Sequence, residues 1–268
     1  IIGAEKTEGY RNKLDYAVSN KRWLSKEEIS KEEKIDRSGI GFHLAGMYDK
    51  VIDVHDCHHM PAPNNEIRNF IRDKAFELSI SFFDIREKHG CLRNILVRNN
   101  VKGEWMLCFQ VFDMETPFLS LLEAIKDKFP EVVSLQYAIN KKANDSIYDL
   151  DYKVFHGSDS IYEFLREKKF RITPKSFFQT NSYQGVRLYN VVREFADLKG
   201  DELVYDLYTG TGSIALFLAK NCRKVVGIET VEAAIVDAKF NAEQLKSELK
   251  IWGYWHWARI LFEFLSLI

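Results

Sequence analysis

Asp206, Gly210, Gly212 and Glu229 are the residues whose types and spacing point most directly to chemistry. Val204 to Leu207 is an apolar strand candidate, Tyr208-Thr209-Gly210-Thr211-Gly212 is a glycine-rich turn, and an amphipathic helix starts at Ser213. Glu229 closes the next apolar run, Lys224-Val225-Val226-Gly227-Ile228. A strand, glycine turn and helix followed by a strand that ends in a carboxylate is how a Rossmann-like half-sheet holds an adenosine-containing ligand. The glycines keep Cβ atoms out of the cleft, Asp206 lies at the carboxyl end of a strand where sheet ligands collect, and Glu229 can accept from ribose hydroxyls. The spacing is not G-x-G-x-x-G, so the phosphates of a dinucleotide are poorly served. A nucleoside carrying a sulfonium, such as S-adenosyl-L-methionine, suits an acidic loop better. The plainer alternative is a strand–helix turn that uses glycine only for positive φ.

Upstream, Phe177-Phe178-Gln179-Thr180-Asn181 sets aromatics beside amides just before a helix. An aromatic can stack on a base, and a carboxamide can pair with a base edge or a cofactor carboxylate. Composition alone favours a simpler reading: Thr180 or Asn181 as the helix N-cap and both phenylalanines in the core. Five histidines (His43, His55, His58, His59 and His89) invite a metal, but Asp56-Cys57-His58-His59 crowds its donors into one short loop, and no metal site is expected. The cysteines Cys57, Cys91, Cys108 and Cys222 form no C-x-x-C pair and read as small buried hydrophobes. Arg11, Lys13, Arg22, Arg93 and Arg98 could line a phosphate-contacting face or be an ordinary solvated surface.

The elements that must carry these residues fall into two domains. The chain has 268 residues and a formal net charge of -1, so bulk charge does not argue for nucleic acid. Residues 1–168 read as an α+β domain. Tyr10 to Trp23 holds strand-like patches, Ser25 to Arg37 is a mixed-charge run, and Val51 to Val54 is a short strand. A helix follows over Asn65 to Phe83, and then antiparallel strands are expected at Leu92–Arg98, Trp105–Val111 and Val132–Ile139. A helix from Pro117 to Phe129 lies between the last two, and Tyr148 to Phe155 adds a further strand candidate. Residues 169–250 read as the first part of an α/β, Rossmann-like domain: a helix over Ser182 to Phe195, strands at Val204–Leu207 and Val225–Ile228, and helices at Ser213–Lys220 and Val231–Asn241. Only two parallel strands are visible, and Ala233, Ala234, Val236 and Ala238 are expected on the inner face of the last helix. Residues 251–268 form an apolar, tryptophan-rich tail of uncertain origin, shorter than a transmembrane core and interrupted by Arg259 and Glu263. No signal peptide is visible, which gives a cytoplasmic location by default, with no membrane partner and a monomer favoured.

Together these stretches resemble the S-adenosylmethionine-dependent RNA uracil-5 methyltransferases, the family that includes enzymes of 23S ribosomal RNA and the transfer RNA uracil-54 enzyme. The resemblance rests on Tyr10-Arg11-Asn12-Lys13, Gly41-Phe42-His43, Asp53-Val54-His55-Asp56-Cys57, Leu92 to Arg98, Phe170 to Asn181, Asp206 to Gly212, Val226 to Glu229 and Ala234 to Ala242. Its most specific element is F-F-Q-T-N placed before D-L-Y-x-G-T-G. The resemblance implies that Gln179 lies between cofactor and target uracil and that Phe177 contacts the substrate. It also implies that Asp206, Tyr208, Gly210, Gly212 and Glu229 hold the cofactor, Glu229 at the ribose. The partner it implies is ribosomal RNA, positioned by the first domain.

Family chemistry is covalent: a cysteine thiolate adds to C6 of a flipped-out uracil, C5 attacks the sulfonium methyl, and a carboxylate removes the C5 proton. C5 is too poor a nucleophile until that addition turns it into an enolate. The family's D-P-P-R segment, nucleophilic cysteine and glutamate base have no match between Gln244 and Ile268, so no catalytic residue is assigned and this chain alone is expected to show no turnover. Cys57 matches the last of four cysteines that hold an iron–sulfur cluster in some members, and no partners for it precede Tyr10. Two competing readings remain: a non-catalytic RNA- or nucleoside-binding module, and a nicotinamide-dependent oxidoreductase, which would leave Gln179 without a role.

Overall fold

A computed structural model describes residues 1–31, 35–244 and 250–253, the last four by their backbone alone. The chain forms two compact units, Ile1–Ile161 and Tyr162–Ile268.

The first unit is built on β1 (Lys13–Ser19), α1 (Lys26–Ile29), β2 (Gly39–Leu44), β3 (Met47–Asp53), α2 (Asn64–Glu77), β4 (Leu92–Asn99), β5 (Trp105–Val111), α3 (Thr116–Lys128), β6 (Val132–Ile139) and β7 (Lys153–Gly157). Its sheet has seven strands in the order β3-β2-β1-β4-β5-β6-β7. Alternation along the strands sends Leu14, Tyr16 and Val18, Ile95 and Val97, and Leu107 and Phe109 to one face. There they meet Ile67, Ile71 and Ala75 of α2 and Phe118, Leu121, Leu122 and Ile125 of α3, which recur at helical spacing. Each valine, leucine, isoleucine or phenylalanine buried there is worth about 1.5–3 kcal/mol over leaving it in water.

Two expectations need correction here. β4 and β5 are antiparallel, but β5 and β6 are parallel, with Leu107 opposite Leu135. The reason is α3: a crossover helix returns the chain to the same end of the sheet, so the next strand runs in the same direction. The helix expected over Asn65–Phe83 ends at Glu77, and Ser79 has φ of 55°, a left-handed conformation that breaks the helix.

The second unit opens with a hairpin, β8 (Ile161–Leu165) and β9 (Lys168–Ile172), which spacing had not revealed. It continues with α4 (Ser182–Ala196), β10 (Leu203–Leu207), α5 (Ser213–Leu218), β11 (Lys224–Glu229), α6 (Glu232–Gln244) and β12 (Lys250–Gly253). Asn181 caps α4 by accepting the Gln184 N–H at 2.9 Å. β10, β11 and β12 form a parallel sheet in that order, so a third strand joins the two expected, with Ile251 opposite Gly227. The first three residues of the apolar tail thus belong to β12, and residues 254–268 lie outside the described residues. The inner face of α6 is Ala234, Asp237, Ala238, Asn241 and Ala242, whereas Val236 is exposed. Positions 234, 237, 238, 241 and 242 are a single helical stripe, and two of its five members are polar.

Candidate nucleoside site at the ends of β10 and β11

β10 ends at Leu207, and the chain reverses through Tyr208, whose φ of 61° is rare for a residue with a Cβ. Strain of this kind concentrates at ligand-binding turns, where surrounding contacts hold it in place. The contacts here are specific. Thr209 donates its N–H to the Ile228 carbonyl at 3.1 Å and its hydroxyl to Asp206 Oδ2 at 2.7 Å. Asp206 Oδ2 also accepts the Ala215 N–H of α5 at 3.0 Å, so one carboxylate ties the strand end, the turn and the following helix together. Thr209 can lie this close to β11 because residue 227 is glycine: a Cβ there would sit 2.9 Å from Thr209 Cγ2.

Glu229 ends β11 and is buried. Its Oε2 accepts the Gly210 N–H at 2.9 Å, and its Oε1 accepts the N–H groups of Thr230 at 2.7 Å and Val231 at 2.9 Å. The carboxylate therefore bridges the glycine turn and the start of α6, and it retains acceptor capacity because each oxygen carries two lone pairs. Gly210 has φ of 57°, and a Cβ built on it would meet nothing within 4 Å. The space beside its backbone is open, as a ligand lying against that backbone requires. Gly212, with φ of 78°, caps α5.

Burial, reinforced by the charge of Glu229, holds the Asp206 carboxyl above the ordinary carboxylate range, against the lowering effect of the Thr209 and Ala215 hydrogen bonds. Two carboxylates at the mouth of one turn make a negative potential that favours a cation and disfavours a phosphate. Tyr208 leaves most of its side chain exposed beside this turn.

The Phe177–Asn181 segment divides its roles. Phe178 is buried against Phe170, with ring centroids 5.8 Å apart, whereas Phe177 is 67 % exposed. Only one of the two phenylalanines is core. Gln179 is half-buried two residues ahead of the α4 cap. The Thr211 hydroxyl reaches the Phe177 carbonyl at 3.5 Å, which brings this segment beside the glycine turn. The segment at Phe177 and the glycine turn at Thr211, far apart in sequence, thus lie side by side.

Other candidates do not come together in this way. Arg93 is buried in the first unit, giving its guanidinium to the carbonyls of Asn140, Lys142 and Asn144 and to Asp145. Arg98 is buried as well, and Arg22 pairs with Glu28 at 2.8 Å, so the five cations do not form one exposed phosphate face. Among the described residues no group of three or more His, Cys, Asp or Glu side chains is placed to hold a metal. Burial pushes the Cys91 thiol up to about 12 and raises that of Cys108 further. Cys222 precedes β11 and so lies at the opposite end of the sheet from Glu229, its thiol also raised by burial. Spacing missed Thr173, Ser176, Asp237 and Asn241, which pack directly behind the site. The period of α6 was the available signal, hidden by polar residues on its buried stripe.

No protein-family model matches the chain. An uncharacterised RNA methyltransferase of Bacteroides thetaiotaomicron is 48 % identical over 248 residues, covering 91 % of this chain and 55 % of the relative. An uncharacterised RNA methyltransferase of Porphyromonas gingivalis is 45 % identical over 252 residues, covering 90 % of this chain and 54 % of the relative. The crystal structure of the Pyrococcus abyssi tRNA (uracil-54, C5)-methyltransferase in complex with S-adenosyl-L-homocysteine superposes with a TM-score of 0.71 at 27 % identity, covering 93 % of this chain and 56 % of that one. The chain spans about half the length of the relatives it matches. At the level of family it is similar to RNA methyltransferases, and its architecture is the mixed α/β fold of an S-adenosylmethionine-dependent methyltransferase.

Proposed function

We propose that the second unit binds S-adenosyl-L-methionine at the ends of β10 and β11, and that the whole protein transfers its methyl group to C5 of a uridine in 23S ribosomal RNA. The observation that carries the cofactor assignment is the buried Glu229 carboxylate, fixed at the glycine turn beside the open backbone of Gly210. A sugar laid against Gly210 would find an acceptor already oriented by three backbone N–H donors.

When bound, S-adenosyl-L-methionine supplies an electrophilic methyl on a cationic sulfur. This chain's residues bind and orient it. Glu229 accepts from ribose, Tyr208 offers a ring to the adenine, Gly210 and Gly212 allow close backbone approach, and Asp206 with Glu229 supplies a negative potential for the cation. Gln179 and Phe177 stand beside the same turn as candidates for reading and stacking the target base. The uridine assignment is supported by the F-F-Q-T-N segment in this position and by similarity to an enzyme that acts on uracil-54 of tRNA. The choice of ribosomal RNA follows the sequence resemblance.

None of the chain's cysteines suits the role of nucleophile. Cys222 is at the wrong end of its sheet, and Cys57, Cys91 and Cys108 are buried in the first unit. The 268-residue chain is therefore proposed to bind cofactor without turning it over. Titration calorimetry with S-adenosyl-L-homocysteine should show one site per chain, and Glu229→Gln should weaken it about ten- to a hundredfold, the range for losing a hydrogen bond to a charged group. Tritiated cofactor with unmodified ribosomal RNA should leave no label at uracil C5. Wild-type-like binding by the glutamine variant would refute the assignment of the site.

A further inference from the structure

Behind the glycine turn, α6 buries two polar side chains one turn apart, Asp237 and Asn241. Asp237 accepts from the Arg171 guanidinium at 3.0 Å, from the Thr173 hydroxyl at 3.1 Å and, through a short contact, from the Ser176 hydroxyl. Asn241 accepts the Arg171 backbone N–H at 2.7 Å and donates to the Thr211 carbonyl at 3.0 Å. The Thr173 N–H donates to Ser176 Oγ at 2.7 Å, closing the bend that leads into Phe177. Two positions one turn apart on one helix thus hold the end of β9, the bend before Phe177, and the glycine turn itself.

Packing does not require this arrangement. A buried carboxylate costs several kcal/mol in desolvation, and well-packed apolar residues of similar volume serve a core as well or better. A fully bonded polar network instead restricts geometry, because each donor and acceptor is satisfied in one relative placement only. The placement fixed here is that of Phe177 and Gln179 relative to Tyr208–Gly212, the two halves of the site.

We propose that Asp237 and Asn241 are positioning residues: α6 holds the Phe177–Gln179 segment and the glycine turn at a fixed offset, and so sets cofactor affinity without touching the cofactor. This rests on the nucleoside reading of the site. Asn241→Asp is the sharpest test, since it retains an acceptor for the Arg171 N–H and removes the donor to the Thr211 carbonyl. Ala238→Gly is the control, because it weakens the same buried stripe of α6 without touching the network.

Both variants are made in the full 268-residue chain. They are followed by thermal melting, calorimetry with S-adenosyl-L-homocysteine, and amide hydrogen exchange without ligand. Asn241→Asp should weaken binding about tenfold or more and speed exchange at residues 209–212, while Ala238→Gly melts earlier yet binds within about twofold of the parent. Equal weakening by both variants, or unchanged binding and exchange in Asn241→Asp, would overturn the proposal. Should Asn241→Asp fail to fold, Thr173→Val removes a single donor to Asp237 at a half-buried position and should speed exchange at residues 175–178. Unchanged exchange there would be equally fatal. If the parent chain bound no S-adenosyl-L-homocysteine, the functional reading would fail, while the exchange comparison would still decide whether the clamp exists.

Discussion

Among the described residues the two sheets are covered to different degrees. In the first unit every residue of β5 is buried, and β4 is nearly so, flanked on both sides by hydrogen-bonded strands and covered by α2 and α3. In the second unit β10 is, among the described residues, an edge strand whose Leu203, Tyr205 and Leu207 are 40 %, 37 % and 58 % exposed. Phe195 and Leu188 of α4 are exposed too. Parallel strands ordinarily lie buried on both faces, so stability and chemistry are distributed unequally here. The first unit holds the large core, and the second holds the strained turn, the paired carboxylates and the open backbone. A cofactor held at that turn would stabilise the second unit, which contains it, by mass action.

That contrast is most sharply broken at Arg68. Burial pushes its guanidinium down to about 10, and it pairs with the buried Asp53 while donating to the Ile40 carbonyl at 3.0 Å. Arg68→Ala should cost up to about 3 kcal/mol, the low end for breaking a buried pair, because Asp53 keeps its partner Arg72 at 2.8 Å. Denaturant titration should register that loss in the first unit while S-adenosyl-L-homocysteine binding survives in the folded fraction. A variant as stable as the parent would show that the first unit does not depend on this pair.

A smaller comparison sets one leucine against another. Leu107→Ala, in the fully buried β5, should cost about 2–5 kcal/mol. Leu207→Thr, on the exposed side of β10, should change stability by less than about 0.5 kcal/mol. Equal losses in chemical denaturation would mean that β10 is covered after all.

The smallest effect is electrostatic. Asp206 titrates above the usual carboxylate range, so protonation as the pH falls from neutral removes one of the two charges facing a bound cation. The affinity ratio of S-adenosyl-L-methionine to its neutral thioether product should therefore shrink as the pH drops through that titration, and Asp206→Asn should flatten the profile. The sign for stability is the reverse: with its folded value raised, Asp206 contributes most when protonated, and that contribution fades as the pH rises. A ratio independent of pH would remove Asp206 from the cation's surroundings.

Much of this was legible in the residues themselves. Glycine turns, the caps and the period of α3 and α4 are local signals, and they placed the β10–α5–β11 unit within a residue or two. Strand direction was not legible. Nothing in Trp105–Val111 or Val132–Ile139 separates parallel from antiparallel pairing until α3 is known to cross over between them. The β8–β9 hairpin escaped because Arg166 makes its turn with φ of 56° in place of the usual glycine or asparagine. Arg93 and Arg98 were read as surface cations because charge suggests solvent, whereas the carbonyls that surround Arg93 come from a loop some fifty positions away. The Asp237–Asn241 network was hidden for the same reason: its partners at residues 171–176 and 211 are neighbours only in the folded chain.

The account turns on where a nucleoside sits. Crystals of the 268-residue chain grown with S-adenosyl-L-homocysteine would test this most directly. The expected result is ribose hydroxyls within hydrogen-bonding distance of Glu229, with the nucleoside lying along the Gly210 backbone. Ligand bound away from the ends of β10 and β11, or Glu229 unchanged and out of reach of the sugar, would contradict it.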